Sequence, residues 1–178
     1  IYAHKGDNIS LKSFFEKGGW EEAVIKPSVS AGAKYTYRIN AANISEYEKT
    51  FEEVLEQEDM MIQPFLKNVM ERGEVSMMVM GGKYTHSVLK VAKPGDFRVQ
   101  DNWGGTVHSY QPTAEEMQFA EAVVAACDFK PLYARIDIAN DNDGKVTLIE
   151  LEAFEPELWF RVYPKSADIL AKAIFDYM

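Results

Sequence analysis

Asp137, Glu150 and Glu152 are the residues of this chain whose types and spacing come nearest to chemistry. They lie in two alternating segments, "LYARIDIAN" and "KVTLIELEAF", joined through Asp143 and Gly144, a pair of the kind that closes tight hairpins. With Asp143 and Gly144 as the centre of a type I′ turn, Asn142 pairs with Lys145. Counting outward sets Asp137 opposite Glu150 and Arg135 opposite Glu152. Side chains alternate along a strand, so the three carboxylates share one face and Ile136, Ile138, Ile149 and Leu151 the other. Facing carboxylates repel one another. A divalent cation would relieve that, and oxygen donors with room for water and phosphate oxygens suit Mg²⁺. A solvated acidic face neutralised by Arg135 and nearby lysines accounts for the same pattern equally well.

Other chemistry is thinner. Asp141, Asp143, Gly144 and Glu150 also match positions of a calcium-binding EF-hand loop, but the first ligand position falls on Ala139 and the flanks alternate as strands, which dismisses it. His4, His86 and His108 are scattered without metal spacing and read as surface or packing residues. No Walker phosphate loop or dinucleotide fingerprint occurs, although "SVSAGA" is small enough to present backbone N–H groups to an anion. The segment "GDFRVQDNWGGT", residues 95–106, has paired glycines, an arginine among acids and amides, and no hydrophobic period. It is either a plain surface loop or a segment that lies over a ligand.

The bulk numbers bound the function. With 28 acids against 19 Lys plus Arg, the formal charge of −9 repels a phosphate backbone, so nucleic acid is not expected as a partner. Cys127 is the single cysteine, which excludes an intrachain disulfide and a multi-cysteine zinc site and fits a reducing, cytoplasmic setting. No apolar run reaches membrane-spanning length, so no membrane partner is expected. The 178 residues accommodate one domain or two small lobes. The chain starts at Ile1 without Met, which raises the expectation of missing upstream sequence.

These residues need elements to hold them. Leu11, Phe14 and Phe15 predict an amphipathic helix and "AVIKP" a strand stopped by Pro27; Tyr35, Tyr37 and Ile39 alternate as a second strand. Ser45 with Glu48 forms a capping-box pattern ahead of a helix with Phe51, Val54 and Leu55 on one face. "MMIQPFL" reads as an edge strand running into a linker because of Pro64. "EVSMMVM" and "GGKYTHSVLKVAK" predict a hairpin turning at Gly81 and Gly82. Thr113 and Glu116 cap another helix, and a last helix begins near Ser166.

Taken in order from "VIKP" to "LIELEAFEPEL", with "KPGDFRVQDNWGGT" between, these pieces resemble the ATP-grasp superfamily, in its glutathione synthetase and ribosomal-protein glutamate ligase branch. The resemblance implies an α+β fold of two lobes, each with an antiparallel sheet and the nucleotide between them. Residues 1–62 would form the small lobe and residues 63–178 the large one, with the family's N-terminal acceptor domain absent from this chain. The implied activity is ATP-dependent carboxylate–amine ligation through an acyl phosphate, using Mg-ATP, with Mn²⁺ as a substitute ion. The carboxylate and amine would come from small molecules or peptides, and a homo-oligomer is compatible with the sequence. A non-catalytic nucleotide-binding or interaction module derived from the same fold is the alternative.

Residue by residue, the resemblance implies that Lys26 reaches a phosphate and the purine edge, and that residues 28–33, with Ser30 and Gly32, form a flap over the triphosphate. Residues 60–66 would be the hinge, with Gln63 and the backbone of Phe65 and Leu66 reading adenine and Glu74 accepting from ribose. Arg98 would neutralise the transferring phosphoryl group, assisted by Lys90 and Lys93, with Gln100 and Asn102 as polar contacts. Gly104 and Gly105 would be hinges of that loop, and Trp103 has no assigned role. Asp137, Glu150 and Glu152 would hold Mg²⁺. Two positions depart from the family pattern, Glu152 and Gln100, where relatives carry asparagine.

Overall fold

A computed structural model describes residues 1–29, 33–99 and 104–178. The chain forms two compact units, Ile1–Phe65 and Leu66–Met178. In the first, strands β1 (Tyr2–Ala3), β2 (Glu22–Pro27), β3 (Tyr37–Asn40) and β4 (Met60–Pro64) make an antiparallel sheet in the order β1-β4-β2-β3. Helices α1 (Leu11–Gly18) and α2 (Ile44–Leu55) bury Leu11, Phe14, Phe51 and Val54 in one core with Ile25, Ile39 and Ile62 of the sheet. Periodicity of 3.6 in the helices and two in the strands brings these side chains to a common interior.

Three expectations fail in this unit. Tyr35, expected in a strand with Tyr37 and Ile39, lies in the turn before β3 with φ +53°. Strand β4 is not at an edge: β1 covers it through Tyr2↔Met61 and Ala3↔Met60, and the Ile1 carbonyl accepts the Ile62 N–H at 2.9 Å. Pro64 is tolerated because it ends the strand, opposite Ala23, and the Phe65 N–H resumes the ladder to the Glu22 carbonyl at 3.0 Å. The Ser45–Glu48 capping box does not form either. Helix α2 begins at Ile44 after Asn43, and the Glu48 carboxylate instead accepts the Leu11 N–H of α1 at 2.6 Å. Glu48 therefore satisfies an orphan donor of a different helix.

The second unit holds α3 (Lys67–Arg72), β5 (Glu74–Met80), β6 (Lys83–Val91), β7 (Thr106–Ser109), α4 (Ala114–Ala125), β8 (Tyr133–Asn140), β9 (Val146–Glu152) and α5 (Ser166–Tyr177). Its antiparallel sheet runs β7-β6-β5-β8-β9. Neither α3, which lies where a linker is expected, nor β7 is foreseen from the sequence. The β5–β6 hairpin turns on Gly81 and Gly82, whose φ values of +59° and +77° are the positive pair that a two-residue turn matched to strand twist requires. Thr113 and Glu116 make their full capping box at the start of α4.

Strand β5 is buried along its whole length and divides the unit into two layers. Val75, Met77 and Val79 pack with Ala134, Ile136 and Ile138 of β8 against Ala120 and Val124 of α4. On the alternate positions Met78 and Met80 join Val88, Leu158 and Trp159. That second face also carries Glu74, Ser76, Lys90 and Asp137, at the other end of the same strands.

Candidate active site

The β8–β9 hairpin delivers the expected pairs, Asp137↔Glu150 and Arg135↔Glu152, through a different turn. Asn140 pairs with Val146, so the connection is longer than two residues; Asp141 Oδ1 accepts the Asp143 and Lys145 N–H groups at 2.9 Å each. The register then shifts between Asp137 and Ile138, leaving Ile149 as the extra residue of a bulge. Two one-residue displacements cancel. The cost is a different apolar face: Val146 and Leu151 pack against the core with Ile136 and Ile138, whereas Ile149 does not and Leu148 is exposed.

Asp137, Glu150 and Glu152 offer ligand oxygens that all lie within 4.8 Å of one another. Asp137 is buried, Glu152 intermediate and Glu150 exposed, so the cluster opens outward along β9. Behind it is a charged interior. Lys90 is ion-paired with both Glu74 and Asp137, the latter at 2.8 Å. Arg135 donates through Nε and Nη2 to Asp137, at 3.0 Å to each oxygen, and through Nη2 to Glu152. Ser76, directly opposite Asp137 across β5 and β8, donates its hydroxyl to Asp137 Oδ1 at 2.6 Å.

Burial and charge oppose each other at every member. Desolvation penalises the Asp137 carboxylate, but Lys90 and Arg135 outweigh it and hold its pKa below the ordinary value. Burial likewise works against the Lys90 ammonium, and Glu74 and Asp137 more than offset it, raising its pKa. At Glu74 the balance reverses: burial dominates over the attraction of Lys90 and pushes it up to about 7. Burial also raises Glu152, in spite of Arg135. Fully ionised, the four carboxylates and two cations of the cluster leave two negative charges in excess. The donor set, all carboxylate oxygen with a surplus of two charges, fits a hard divalent cation such as Mg²⁺.

Lys26 lies on β2 opposite Met61, and Gln63 on β4 opposite Val24, both half-buried in the first unit. Phe65 is buried there with the Arg38 guanidinium 4.0 Å from its ring centroid. Leu66 opens the second unit as the residue before α3. Glu74 opens β5, is 8% exposed and is ion-paired with Lys90. Arg98 is gripped by Asp96 in a two-pronged pair, Nε to Oδ1 at 3.0 Å and Nη2 to Oδ2 at 2.7 Å. That hydrogen bonding holds Asp96 at about 2. Gly104 has φ +84°, the left-handed region that favours glycine, whereas a Cβ there would meet the Lys93 stem only at an ordinary 3.4 Å. Ser30, Gly32, Gln100, Asn102 and Trp103 lie outside the described residues.

Ser76 is the member of the cluster that sequence reasoning missed. Its only signal is the register between β5 and β8, strands separated by some sixty residues, and no local pattern carries that. His86, read as a surface or packing residue, is buried with Nε2 3.0 Å from the Leu158 carbonyl. A cavity of about 300 Å³, lined by Val75, Leu89, Ile138, Tyr110 and Glu116, lies on the α4 face of the sheet, away from the carboxylates.

The family model for the prokaryotic glutathione synthetase ATP-grasp domain matches residues 5–153, most of both units and the whole carboxylate hairpin. The chain belongs to this family. Among solved structures, D-cycloserine synthetase DcsG is similar with a TM-score of 0.83 and 21% identity over 99% of this chain and 63% of that one. A D-alanine–D-alanine ligase from Bacillus anthracis follows with 0.71 and 18%, over 99% of this chain and 60% of that one. ATP-grasp ligase PsnB, complexed with a minimal precursor, Mg and ADP, gives 0.63 and 15%, over 97% of this chain and 52% of that one. At these identities the likeness is one of fold: the two antiparallel sheets and five helices among the described residues make an α+β ATP-grasp fold. The chain spans 52–63% of the length of these three proteins. No curated protein matches it by sequence. Among the described residues no helix is long and apolar enough to cross a membrane.

Proposed function

We propose that this chain is the nucleotide-binding part of an ATP-dependent carboxylate–amine ligase working in the cytoplasm. The observation that carries the reading is the set of three carboxylates converging on the β8–β9 hairpin of an ATP-grasp domain. In this reading Asp137, Glu150 and Glu152 would hold Mg²⁺, which would supply positive charge to offset that of the phosphates. A substrate carboxylate attacks the γ-phosphate, giving an acyl phosphate and ADP; an amine then displaces phosphate and forms the amide bond. The chain's own residues supply charge and position. Ser76 and Lys90 keep Asp137 ionised and aimed, and Arg98 exchanges its Asp96 partner for the oxygens of the transferring phosphoryl group.

Residues 1–62 act as the lobe that carries the flap and Lys26, which meets a phosphate as a point charge. Residues 63–178 supply the hinge, the arginine and the metal hairpin; Gln63 and the backbone of Phe65 and Leu66 read adenine, and the buried Glu74 orients Lys90. No protein nucleophile is required, since the activated species is the substrate's own carboxylate. The substrates are small molecules or peptides bearing a carboxylate and an amine.

The reading is tested with the complete natural protein, measuring ADP release over a panel of carboxylates and amines, and with this chain, titrating ATP with and without Mg²⁺. Metal-dependent ATP binding and amine-dependent ADP release are the expected results. No metal-dependent binding in either protein would sink the ligase. Binding with no turnover on any pair would favour a nucleotide-binding module.

A further inference from the structure

Resting on that metal reading, we propose that Arg135 is an internal cation occupying the metal position, latched there by Glu152, and that a divalent ion loads only by exchanging with it. The crowding at Asp137 is the starting point. A carboxylate has about four lone-pair sites. Asp137 already accepts four donor atoms from three side chains: Ser76 Oγ at 2.6 Å and Arg135 Nε at 3.0 Å on Oδ1, Lys90 Nζ at 2.8 Å and Arg135 Nη2 at 3.0 Å on Oδ2. A metal ion at this carboxylate must therefore evict one of them.

Three side chains compete to stay, and burial decides between them. Ser76 is fully buried in the middle strand and fixed opposite Asp137 by the β5–β8 ladder. Lys90 is held from its other side by Glu74, with both side chains about a tenth exposed or less, and its departure would leave Glu74 and Asp137 facing each other without the cation between them. Arg135 has its second anchor at the hairpin's more open side, on Glu152, whose side chain is 29% exposed. Its release exposes one long, always-charged side chain to water and leaves no buried carboxylate without a cation, because the incoming ion takes its place. Arg135 is the exchangeable donor.

Position points the same way. Nη2 of Arg135 bonds both Asp137 Oδ2 and Glu152 Oε1, so it stands between two of the three proposed ligands. An ion bound to both carboxylates at about 2.1 Å cannot share that space with a guanidinium nitrogen. Exchange turns Glu152 from latch to ligand and frees Arg135 beside the loaded site, where its planar fork meets phosphoryl or carboxylate oxygens of a substrate. A neutral amide at position 152 could not hold the arginine by charge, so the glutamate makes arginine release depend on metal arrival.

The test uses the full chain, with Mn²⁺ alone as the probe and the free-ion electron paramagnetic resonance signal as the readout. Arg135→Ala should bind Mn²⁺ roughly tenfold to a hundredfold more tightly than the unmodified chain, because a competing cation has gone while all three carboxylates remain. Equal or weaker binding by R135A would overturn the exchange. The unmodified chain gives a second readout that needs no variant: with ¹⁵N-labelled arginine, saturating Mg²⁺ should shift the Arg135 Nε–H resonance and remove its hydrogen-bonded character. An Arg135 resonance unmoved while metal binds would overturn the exchange and leave the metal site standing. Absence of cation binding in both proteins, alone or with a non-hydrolysable ATP analogue, would remove the metal reading and the exchange together.

Discussion

Glu74→Gln should change how stability depends on pH, and the direction follows from burial. Glu74 lies 8% exposed against Lys90, and desolvation lifts it from the ordinary 4.5 to about 7. A carboxyl whose pKa is higher folded than unfolded binds its proton more tightly in the native state. Its contribution is therefore fully present below pH 4.5 and is lost as the pH rises through about 7. Each tenfold difference in proton affinity between the folded and unfolded chain is worth about 1.4 kcal/mol, so the native chain should lose about 3 kcal/mol through this group across that window. The proton belongs to the Glu74–Lys90–Asp137 cluster rather than to one atom. The amide that E74Q introduces cannot titrate, yet its oxygen still accepts from Lys90. Urea unfolding of both proteins at intervals between pH 4.5 and 7.5, without divalent metal, should show E74Q gaining on the native chain by about 3 kcal/mol as pH rises. Parallel profiles, or a native chain that gains on E74Q, would refute the reasoning.

Glu150 and Asp137 should respond differently to truncation. Glu150 is exposed, so Glu150→Gln should lower Mg-ATP turnover of the complete natural protein on the order of a hundredfold while leaving its thermal midpoint nearly unchanged. Asp137→Ala should also remove turnover but cost about 3–5 kcal/mol in urea unfolding, because it takes from Lys90 and Arg135 the buried carboxylate they share, leaving each with a single partner. Glu48→Ala should cost about 1 kcal/mol by leaving the Leu11 N–H of α1 without its acceptor, while Ser10 still caps the helix, and Ser45→Ala about 0.5 or less; a larger effect at Ser45 would contradict the observed bonding of Glu48. Burial holds the His86 pKa below the ordinary 6.5, so its contribution is present above that pH and lost as pH falls below it. His86→Phe should flatten that acid-side loss in thermal melts taken between pH 7 and pH 5, by comparison with the native chain.

Local patterns in the sequence were sufficient for what local geometry controls. The turn at Gly81 and Gly82 is legible because only residues free to take positive φ fit a two-residue hairpin, and the Thr113–Glu116 box because both its bonds close within one helical turn. The face shared by Asp137, Glu150 and Glu152 is legible because side chains alternate along paired strands, and the family is legible in the order of its short segments. Even here the hairpin reached its register by a longer turn and a compensating bulge, so Ile149 left the core face. What only the tertiary structure decided is who stands beside whom across distant segments. Glu48 caps α1 instead of its own helix, β1 covers β4, and Ser76, Lys90 and Glu74 close around Asp137 from strands the sequence does not align with β8. Those contacts depend on non-adjacent registers, which burial of the whole sheet fixes and no short window of residues records. The pairing of Arg135 with Asp137 and Glu152 needs only the β8–β9 hairpin, but the burial of that cluster was decided by the assembled sheet, in which β5 sets Ser76 against Asp137 and β6 brings Lys90.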